Sequence, residues 1–438
     1  MGEGVKSVHI TNYYHPSSGG VKSNYDSLLQ AADSYKRHVC LIVPGETDKV
    51  ERVGKYGKIY FVKAKHAPFF DRRYRLITPF HYLQTGTPIR EILLQEMPDM
   101  IEIYDNYALT LLAGIIRKGY FKALGRPMLV YFTGERFDTI FKSFVSDGKL
   151  AHWFCRRLMG NYNLAMFDYF IANSSFVAEE LFESVLKKFN PNRSERFFNF
   201  CWRFFNSSPK DFEERVVICP RGVDTKHFSP SRKSKDFQTK MRKRFGIPEN
   251  ARILLSSTRI SPEKNIELLP EVMKILSSDG EDYRLLVAGA GPKKEWLLEK
   301  SKQLPQGKII LLGHLDKETL ADYYANVDVF IHPNPREPFG NVVLEAMASG
   351  VSIVVPNSGG ILSYANRENA WLTEPTPQAF AETIKAVFSN EELRESKIAK
   401  SLEAASRNSK KKAIERLFET YDRIYCRFRL NFGKNASK

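Results

Sequence analysis

The feature that most constrains the fold of this chain is an alternation of short apolar runs with amphipathic segments, which occurs twice along the sequence. In the first half the apolar runs are "VHIT", "VCLIVPG", "KIYFV" (58–62), "MIEIY" (100–104), "MLVYFT" (128–133) and "YFIANS" (169–174). After "VVICPRGVD" (216–224) and a polar, basic stretch, they are "RILLSS" (252–257), "YRLLVAG" (283–289), "KIILLGH" (308–314), "DVFIHP" (328–333) and "VSIVVP" (351–356). Strands that alternate with helices form parallel sheets, so the pattern predicts an α/β protein with two doubly wound domains facing a cleft.

Length and composition agree with two soluble domains. The 438 residues exceed what one hydrophobic core usually organises, and the composition, 43% hydrophobic and 26% charged, is that of a globular protein. We see neither a signal peptide nor an apolar run of the roughly 20 residues that a spanning helix needs. The five cysteines are scattered, which predicts reduced thiols. We therefore expect a cytoplasmic protein.

The net charge of +16 predicts an anionic partner, such as a phosphorylated small molecule, an acidic membrane or a nucleic acid. We find no sequence signature of a nucleic-acid-binding module, so we expect no nucleic-acid partner. A nicotinamide-dependent oxidoreductase is also disfavoured. "GAGPKK" (289–294) has Lys294 where the third glycine of GxGxxG belongs, and "SSGGVK" (17–22) does not fit that pattern either.

Two loops after strands have the residue types that bind phosphate. Gly19-Gly20 follows the first strand and opens a helix, whose backbone amides can approach an anion. In "SSTRISPEKNIELL" (256–269), Arg259 and Lys264 lie on either side of a turn and are suited to hold a diphosphate. The alternatives are a simple glycine turn and a solvated basic turn.

The strongest signal is "NPREPFGNVVLEAMASG" (334–350), which places Glu337 and Glu345 eight positions apart across a loop-to-helix junction. Pro338-Phe339-Gly340 predicts a tight loop, and Asn341 begins the helix, whose N-terminus favours an anion. Glu345 in the second turn can accept hydrogen bonds from two ribose hydroxyls. Glu337 lies near the phosphate end, where a sugar would project.

The segment "EPFGNVVLEAMASGVSIVVPNSGGI" resembles the nucleotide-sugar motif of retaining GT-B glycosyltransferases of the group 1 (family four) type. Other features of that family follow in order, namely "SGGVK", "RGVDTKHFSP" (221–230), "TRISPEKN", "LLVAGAGP" and "LLGH". The resemblance covers roughly residues 8–430. It implies the GT-B fold, with two Rossmann-like domains. Residues 1–220 would form the acceptor domain, residues 221–410 the donor-binding domain, and a C-terminal helix (411–432) would cross back to the first domain.

The resemblance also implies roles for individual residues. Arg259 and Lys264 would hold the donor diphosphate, Glu345 the ribose, and Glu337 the hydroxyls of the donor sugar. Gly20 would offer its amide to the phosphate when the cleft closes. The sugar–phosphate turn and the surroundings of the base would be lined by Phe339, Gly340, Asn341, His314 and Leu315.

The implied reaction transfers a hexosyl group from a UDP- or GDP-sugar to a hydroxyl of a sugar or lipid-linked acceptor, with retention of anomeric configuration. We expect no cofactor and no metal, because the sequence has no DxD motif and Arg259 and Lys264 can neutralise the leaving diphosphate. The alternatives are a non-catalytic sugar-nucleotide-binding protein and, on the same fold, a sugar-nucleotide epimerase or a phosphorylase. A phosphorylase would need a lysine-held pyridoxal phosphate, for which we see no motif.

One departure from the family pattern concerns a histidine that members commonly carry after the strand equivalent to "MLVYF". Here Thr133 and Gly134 stand at that place. Nearby polar residues are candidates for acceptor-side or donor-side contacts, although an ordinary exposed loop would have the same composition. These candidates are Glu135, Arg136 and Asp138, together with His15 and Lys22 in the glycine loop.

The segment 187–215 is rich in aromatic and arginine residues, and 66–80 has similar character. If 193–205 is a helix, Phe198, Cys201, Trp202 and Phe205 share one side and the arginines another, as in helices that lie in a membrane interface. This pattern predicts peripheral docking on anionic lipid at the cytoplasmic face of the membrane. The alternative is that both segments are buried caps on the first domain.

Overall fold

The structure is a computed structural model that describes residues 4–15, 20–67, 74–144, 148–189, 191 and 193–436, the side chains of 140, 143, 144 and 432–436 excepted. It divides into two compact units. Unit 1 contains residues up to Cys219 and the chain from Ile414 onward, and unit 2 contains Pro220–Ala413. Part of the predicted glycine loop (16–19) and part of the aromatic segment 66–80 (68–73) lie outside the described residues.

Unit 1 is built on an eight-stranded sheet in the order β3-β4-β2-β1-β5-β6-β7-β8, in which all neighbours are parallel except β3 and β4. Its strands are β1 (Ser7–Thr11), β2 (Val39–Gly45), β3 (Lys49–Val53), β4 (Gly57–Lys63), β5 (Met100–Tyr104), β6 (Met128–Thr133), β7 (Tyr169–Ala172) and β8 (Val216–Ile218). Its first helices are α1 (Gly20–Tyr35), α2 (Pro88–Glu96), α3 (Thr110–Arg117), α4 (Phe137–Phe144), α5 (Lys149–Leu158), α6 (Ser175–Val185), α7 (Glu195–Phe204) and α8 (Phe212–Arg215).

Unit 2 is built on a six-stranded, wholly parallel sheet in the order β11-β10-β9-β12-β13-β14. Its strands are β9 (Arg252–Ser257), β10 (Tyr283–Ala288), β11 (Ile309–Gly313), β12 (Val329–Ile331), β13 (Ser352–Pro356) and β14 (Trp371–Thr373). Its helices are α9 (Lys235–Phe245), α10 (Leu268–Ser277), α11 (Lys294–Ser301), α12 (Lys317–Asn326), α13 (Asn341–Ala348), α14 (Pro377–Ser389) and α15 (Glu391–Arg407).

The last helix, α16 (Lys410–Ala436), belongs to unit 1 from Ile414 onward. It packs on the same core cluster as α1 through the predicted apolar stripe of Leu417, Tyr421 and Ile424. A polar contact fixes its register, because the Tyr421 hydroxyl donates to the buried carboxylate of Glu102 at 2.6 Å. The C-terminal helix therefore belongs to the first unit from Ile414 onward.

The two parallel sheets confirm the predicted α/β class. The sequence analysis did not predict strands β3 and β14, and each omission has a physical reason. The β3 segment "KVERV" is an exposed, largely polar edge strand, so it has no apolar run. The β14 segment "WLT" has only three residues at the other sheet's edge. Within the described ranges, no helix has the length and apolar character needed to cross a bilayer.

Candidate active site

The candidate site of unit 2 lies at the carboxyl edge of its sheet, at the point where the strand order reverses. From β9 the chain continues to β10 and β11 on one side, whereas β12 pairs with the other side of β9. Loops that leave such neighbouring strands diverge to opposite faces of the sheet and leave a crevice for a ligand. The loop after β9 contains Arg259 and Lys264, and the loop after β12 contains Glu337.

The structure brings Lys264 and Glu337 together although 73 positions separate them in the sequence. Lys264 Nζ lies 3.0 Å from Oε2 and 3.3 Å from Oε1 of Glu337. The same Oε2 accepts hydrogen bonds from Asn334 Nδ2 at 3.1 Å and from His332 Nε2 at 3.1 Å. Three donors thus converge on one carboxylate oxygen of a residue that is only 8% exposed.

This environment keeps Glu337 ionised. Burial alone would raise the pKa of the Glu337 carboxyl, but the positive charge of Lys264 and the hydrogen bond from His332 outweigh it. The pKa of Glu337 therefore lies well below its usual value. The site holds a fixed negative charge beside a lysine ammonium.

Sequence reasoning missed His332 and Asn334, which lie directly after β12. His332 is fully buried, and its Nδ1 has no hydrogen-bond partner. Its Nε2 is the ring nitrogen that donates to the Glu337 carboxylate. The signal that could have found both residues is their position, because polar residues that follow a central parallel strand face the ligand edge.

Gly340 makes the turn that leads from Glu337 into α13. Its φ of +79° is in the left-handed region, and a Cβ there would lie 2.6 Å from Cγ2 of Ile361 and 2.9 Å from the Tyr364 hydroxyl. That hydroxyl donates to the carbonyls of Gly340 and Phe339 at 2.6 and 2.8 Å. Phe339 is buried against the Tyr364 ring, with the centroids 5.2 Å apart. Phe339 therefore anchors the turn, and Asn341 begins α13 as predicted.

A second glycine loop, after β13, supports the Glu337 loop and was also missed as a site element. The amide of Gly360 donates to the carbonyl of Glu337 at 2.7 Å. Gly359 has a φ of +82°, and a Cβ there would lie 2.9 Å from the carbonyl oxygen of Pro335. The "NSGG" sequence therefore permits a close approach of two backbones that a larger residue would prevent.

Glu345 lies in the second turn of α13, partly buried, and differs electrostatically from Glu337. Burial raises the pKa of the Glu345 carboxyl to about 7, although the charge of Lys317 and a hydrogen bond from Tyr324 act to lower it. The Tyr324 hydroxyl lies 3.5 Å from Oε2 of Glu345. Near neutral pH this carboxyl is therefore poised between its two protonation states.

The glycines of "GAGP" support the loops of the site. A Cβ on Gly289 would lie 1.9 Å from the carbonyl oxygen of Thr258, and one on Gly291 would lie 2.2 Å from that of Ile260. These glycines therefore let the loops after β9 and β10 pack closely together.

Of the other predicted donor contacts, Arg259 and His314 are exposed, and Leu315 packs partly against the core.

In unit 1, Gly20 begins α1, which follows β1. Lys22 pairs with Asp26 at 2.6 Å and lies over the Tyr14 ring, 5.1 Å from its centroid. His15 packs against Tyr74, with the ring centroids 5.5 Å apart.

The structure buries Arg136 and Asp138, which the sequence predicted as candidates for acceptor-side or donor-side contacts. Both are 4% exposed, and the Arg136 guanidinium donates to both oxygens of Asp138 at 2.9 and 3.1 Å. Arg136 also pairs with Glu179 and Glu183 of α6 at 3.2 and 3.1 Å. This buried network joins α4 to α6, whereas Glu135 is exposed.

The surroundings of Gly134 are crowded at the place where the family commonly carries a histidine. A Cβ on Gly134 would lie 3.1 Å from the Tyr104 hydroxyl and 3.4 Å from Nδ2 of Asn173, which donates to the Gly134 carbonyl. The position therefore leaves little room for a histidine. Asn173, which follows β7, was missed by the sequence reasoning, and its buried Oδ1 has no hydrogen-bond partner.

Comparisons with known proteins agree with this architecture. Residues 237–404 match the family Glycosyl transferases group 1. The chain is 25% identical over 389 residues to a GDP-mannose-dependent alpha-(1-6)-phosphatidylinositol dimannoside mannosyltransferase of Mycobacterium tuberculosis, with 89% of each chain covered. It is 34% identical over 146 residues to a GDP-mannose-dependent alpha-mannosyltransferase of Corynebacterium glutamicum, with 33% of this chain and 32% of that protein covered.

Among solved structures, the Anabaena protein Alr3699/HepE in complex with UDP and glucose superposes with a TM-score of 0.62 at 16% identity, over 95% of this chain and 99% of that one. At this identity the likeness concerns the fold alone. The family match lies within unit 2, and the match to the mycobacterial relative extends over both units. Residues 237–404 match the glycosyl transferases group 1 family, and the chain has the GT-B fold and is similar over most of its length to a glycosyltransferase.

Proposed function

We propose that this glycosyltransferase moves a hexosyl group from a nucleoside-diphosphate sugar to a hydroxyl acceptor, with retention of anomeric configuration and without a metal ion. The observation that carries the proposal is the Lys264–Glu337 pair where the strand order of unit 2 reverses. An ammonium beside a fixed carboxylate suits a ligand with an anionic phosphate next to a hydroxyl-bearing sugar.

Each donor group has a matching protein group. The compact ammonium of Lys264 and the planar guanidinium of Arg259 are both suited to bind the diphosphate. The N-terminus of α13 adds partial positive charge. Glu337 would accept hydrogen bonds from the donor sugar, and Glu345 from the ribose. We assign no donor contact to Arg136 and Asp138, because their buried network already engages them.

In the proposed reaction the acceptor oxygen forms a bond to the anomeric carbon while the bond from that carbon to the diphosphate oxygen breaks. The acceptor proton passes to the leaving phosphate, so no protein base is required. The cations of Arg259 and Lys264 would stabilise the charge that develops on this phosphate, which is the role a metal ion has in other transferases.

The relatives support the donor class and the stereochemistry. Two of them are named as GDP-mannose-dependent enzymes, and the Anabaena structure contains UDP and glucose. Both mannosyltransferase names specify an α linkage, and an α product from an α-linked donor means retention. The name of the mycobacterial relative includes a phosphatidylinositol glycan. We therefore favour a lipid-linked or cell-envelope acceptor and peripheral contact with an anionic membrane.

A panel of UDP-, GDP- and ADP-sugars, screened by the shift in unfolding temperature and then by calorimetry, tests the donor class. We expect one nucleotide-sugar series to bind, and release of its nucleotide to be slow in water and faster with acceptor. NMR of the product at the anomeric proton tests retention, and turnover in excess chelator tests metal independence. Failure of every nucleotide sugar to bind would contradict the proposal, and conversion of the donor sugar without transfer would indicate an epimerase.

A further inference from the structure

The surface that α5 and α7 form in unit 1 carries exposed aromatic side chains that the glycosyl-transfer proposal does not use. On α7, Phe197, Phe200 and Phe204 follow a spacing of three and four residues, which places them on one side of the helix. They are 44%, 60% and 54% exposed. The side of α7 that the sequence indicated is buried in the core of unit 1, namely Phe198, Cys201, Trp202 and Phe205.

Helix α5 presents a matching surface. Leu150, Trp153 and Phe154 are 81%, 55% and 49% exposed and lie on one side of this helix. The two surfaces meet at Tyr162, whose ring centroid lies 6.5 Å from that of Phe197. Between them is a cavity of about 370 Å³ lined by Trp153, Phe154, Arg157, Leu158, Asn161, Tyr162 and Phe197. We call these lining residues, together with Leu150, Phe200 and Phe204, the aromatic groove.

Among the described residues of α5 and α7, which flank the aromatic groove, positive charges outnumber negative ones. Helix α5 contains Lys149, Arg156 and Arg157 and no acidic residue, and Arg156 pairs with Glu183 of α6 at 3.1 Å. Helix α7 contains Arg196 and Arg203 against the single acid Glu195, which pairs with Arg193 at 3.4 Å. The Arg157 guanidinium lies over the Trp153 ring at 5.3 Å and the Lys118 ammonium over the Phe204 ring at 5.2 Å.

We infer that the aromatic groove docks on a bilayer rich in anionic phospholipid. Tryptophan and tyrosine favour the boundary between headgroups and acyl chains, phenylalanine and leucine favour the layer beneath, and the flanking cations favour anionic headgroups. A protein partner usually presents charges of both signs, whereas a positive surface of this extent matches a continuous negative one. The inference rests on the membrane contact in the proposed function, not on its donor chemistry. It assigns that contact to α5 and to a side of α7 other than the one that the sequence indicated.

Vesicle flotation with the full-length protein tests this inference, with vesicles of phosphatidylcholine alone or with about 30% phosphatidylglycerol. We expect flotation with the anionic vesicles only. We also expect about a tenfold loss of binding in the double variant Phe197→Ser/Phe200→Ser, because both apolar anchors are lost. The matched control is Leu298→Ser, which removes a 41% exposed side chain in unit 2 and should leave binding unchanged. Salt of about 1 M, where the Debye length falls to about 3 Å, should weaken binding by the wild type.

A spectroscopic readout locates the contact. Trp202 is fully buried and Trp153 is half exposed, so anionic vesicles should shift the emission of Trp153 to the blue and bring it within reach of brominated acyl chains. Trp153→Phe should abolish this change. Equal binding by the double variant and the wild type, or no quenching, would overturn the inference. Self-association of the wild type that the double variant loses would identify the groove as a protein interface and overturn it too. Donor binding measured on the same samples separates failure of this surface from failure of the proposed function.

Discussion

The Nζ atom of Lys264 lies 3.0 Å from Oε2 of Glu337, and this contact joins the loops that follow two neighbouring parallel strands. Because Glu337 is almost fully buried and Lys264 is about a quarter exposed, the pair is screened less than a surface salt bridge. In the absence of a donor, Lys264 neutralises Glu337. A bound diphosphate would share the same ammonium, so donor affinity should depend on it directly.

Removal of the ammonium tests this dependence. We expect Lys264→Ala to reduce donor affinity by about 10- to 100-fold, because a charge-assisted contact to phosphate is lost. The variant should also unfold more easily, by about 1–3 kcal/mol, because Glu337 loses its counter-charge. Calorimetry and denaturant titration measure the two effects. Lys302→Ala, at an exposed lysine of the same unit, is the control and should change neither quantity. Unchanged donor affinity in Lys264→Ala would refute the assignment.

The imidazole of His332 should act as a positioning group for Glu337. In His332→Leu the carboxylate loses one of its three donors, so we expect kcat to fall about tenfold while KM changes little. His332→Gln retains an N–H donor and should recover most of the loss. Equal kcat values for the Leu and Gln variants would show that the hydrogen bond does not contribute to catalysis. If His332 had a purely structural role, its substitution would lower the unfolding temperature without the loss of kcat in the Leu variant and its recovery in the Gln variant.

Glu345 should make donor binding depend on pH. Its folded pKa of about 7 lies above the usual glutamate value, so its carboxyl ionises as pH rises through 7. The ionised form accepts two ribose hydroxyls, and affinity should therefore increase between about pH 6 and pH 8. Glu345→Gln should bind more weakly at pH 8 and lack this increase. Donor titrations across the pH range measure it, and the same slope in both proteins would contradict the assignment.

The same shift predicts the sign of a stability change in the protein without donor. A raised folded pKa means that stability is fully present below the unfolded pKa and is lost as pH rises through about 7. The loss should be on the order of 1–3 kcal/mol. Thermal unfolding of wild type and Glu345→Gln at pH 5 and pH 8 checks this, because the variant should be the more stable protein only at the higher pH.

Gly340 should be intolerant of any side chain. Gly340→Ala adds a Cβ to a residue with positive φ and places it 2.6 Å from Ile361, so we expect a loss of about 2–4 kcal/mol and of donor affinity. Gly246→Ala is the matched control. Gly246 also has positive φ, +63°, but a Cβ there meets nothing within 4 Å, and the expected loss is only about 1 kcal/mol. Equal losses would indicate that backbone strain alone explains the effect.

Substitutions of the adjacent residues Arg136 and Glu135 should differ in their effect on stability. Arg136→Ala breaks a buried ion-pair network, so we expect a loss of about 3–5 kcal/mol with donor affinity unchanged in the folded fraction. Glu135→Gln changes an exposed carboxylate and should leave stability within about 0.5 kcal/mol. If Glu135 contacts the acceptor, the KM for the acceptor rises in this variant. A stable Arg136→Ala protein would contradict the structural role.

The architecture and the order of the motifs could be predicted from the sequence, because buried parallel strands require apolar runs and helices connect most of these strands. The sequence also determined the turn at Gly340 and the start of α13 at Asn341, since these depend on neighbouring residues. It also located Glu345 on that helix. The pKa of this carboxyl, however, depends on burial, which raises it, and on Lys317 and Tyr324, which both lower it.

Which distant groups meet, and which side of a helix is covered, depends on the packing of the folded chain. The convergence of Lys264 and His332 on Glu337 depends on the pairing of β9 with β12, which no local pattern encodes. Helix α7 has aromatic residues on both sides, so its sequence alone could not tell the buried side from the exposed one. Packing against the rest of unit 1 made that choice. Burial likewise made Arg136 a link between two helices. The sequence does not distinguish an arginine that is exposed to solvent from one that is buried and paired with carboxylates.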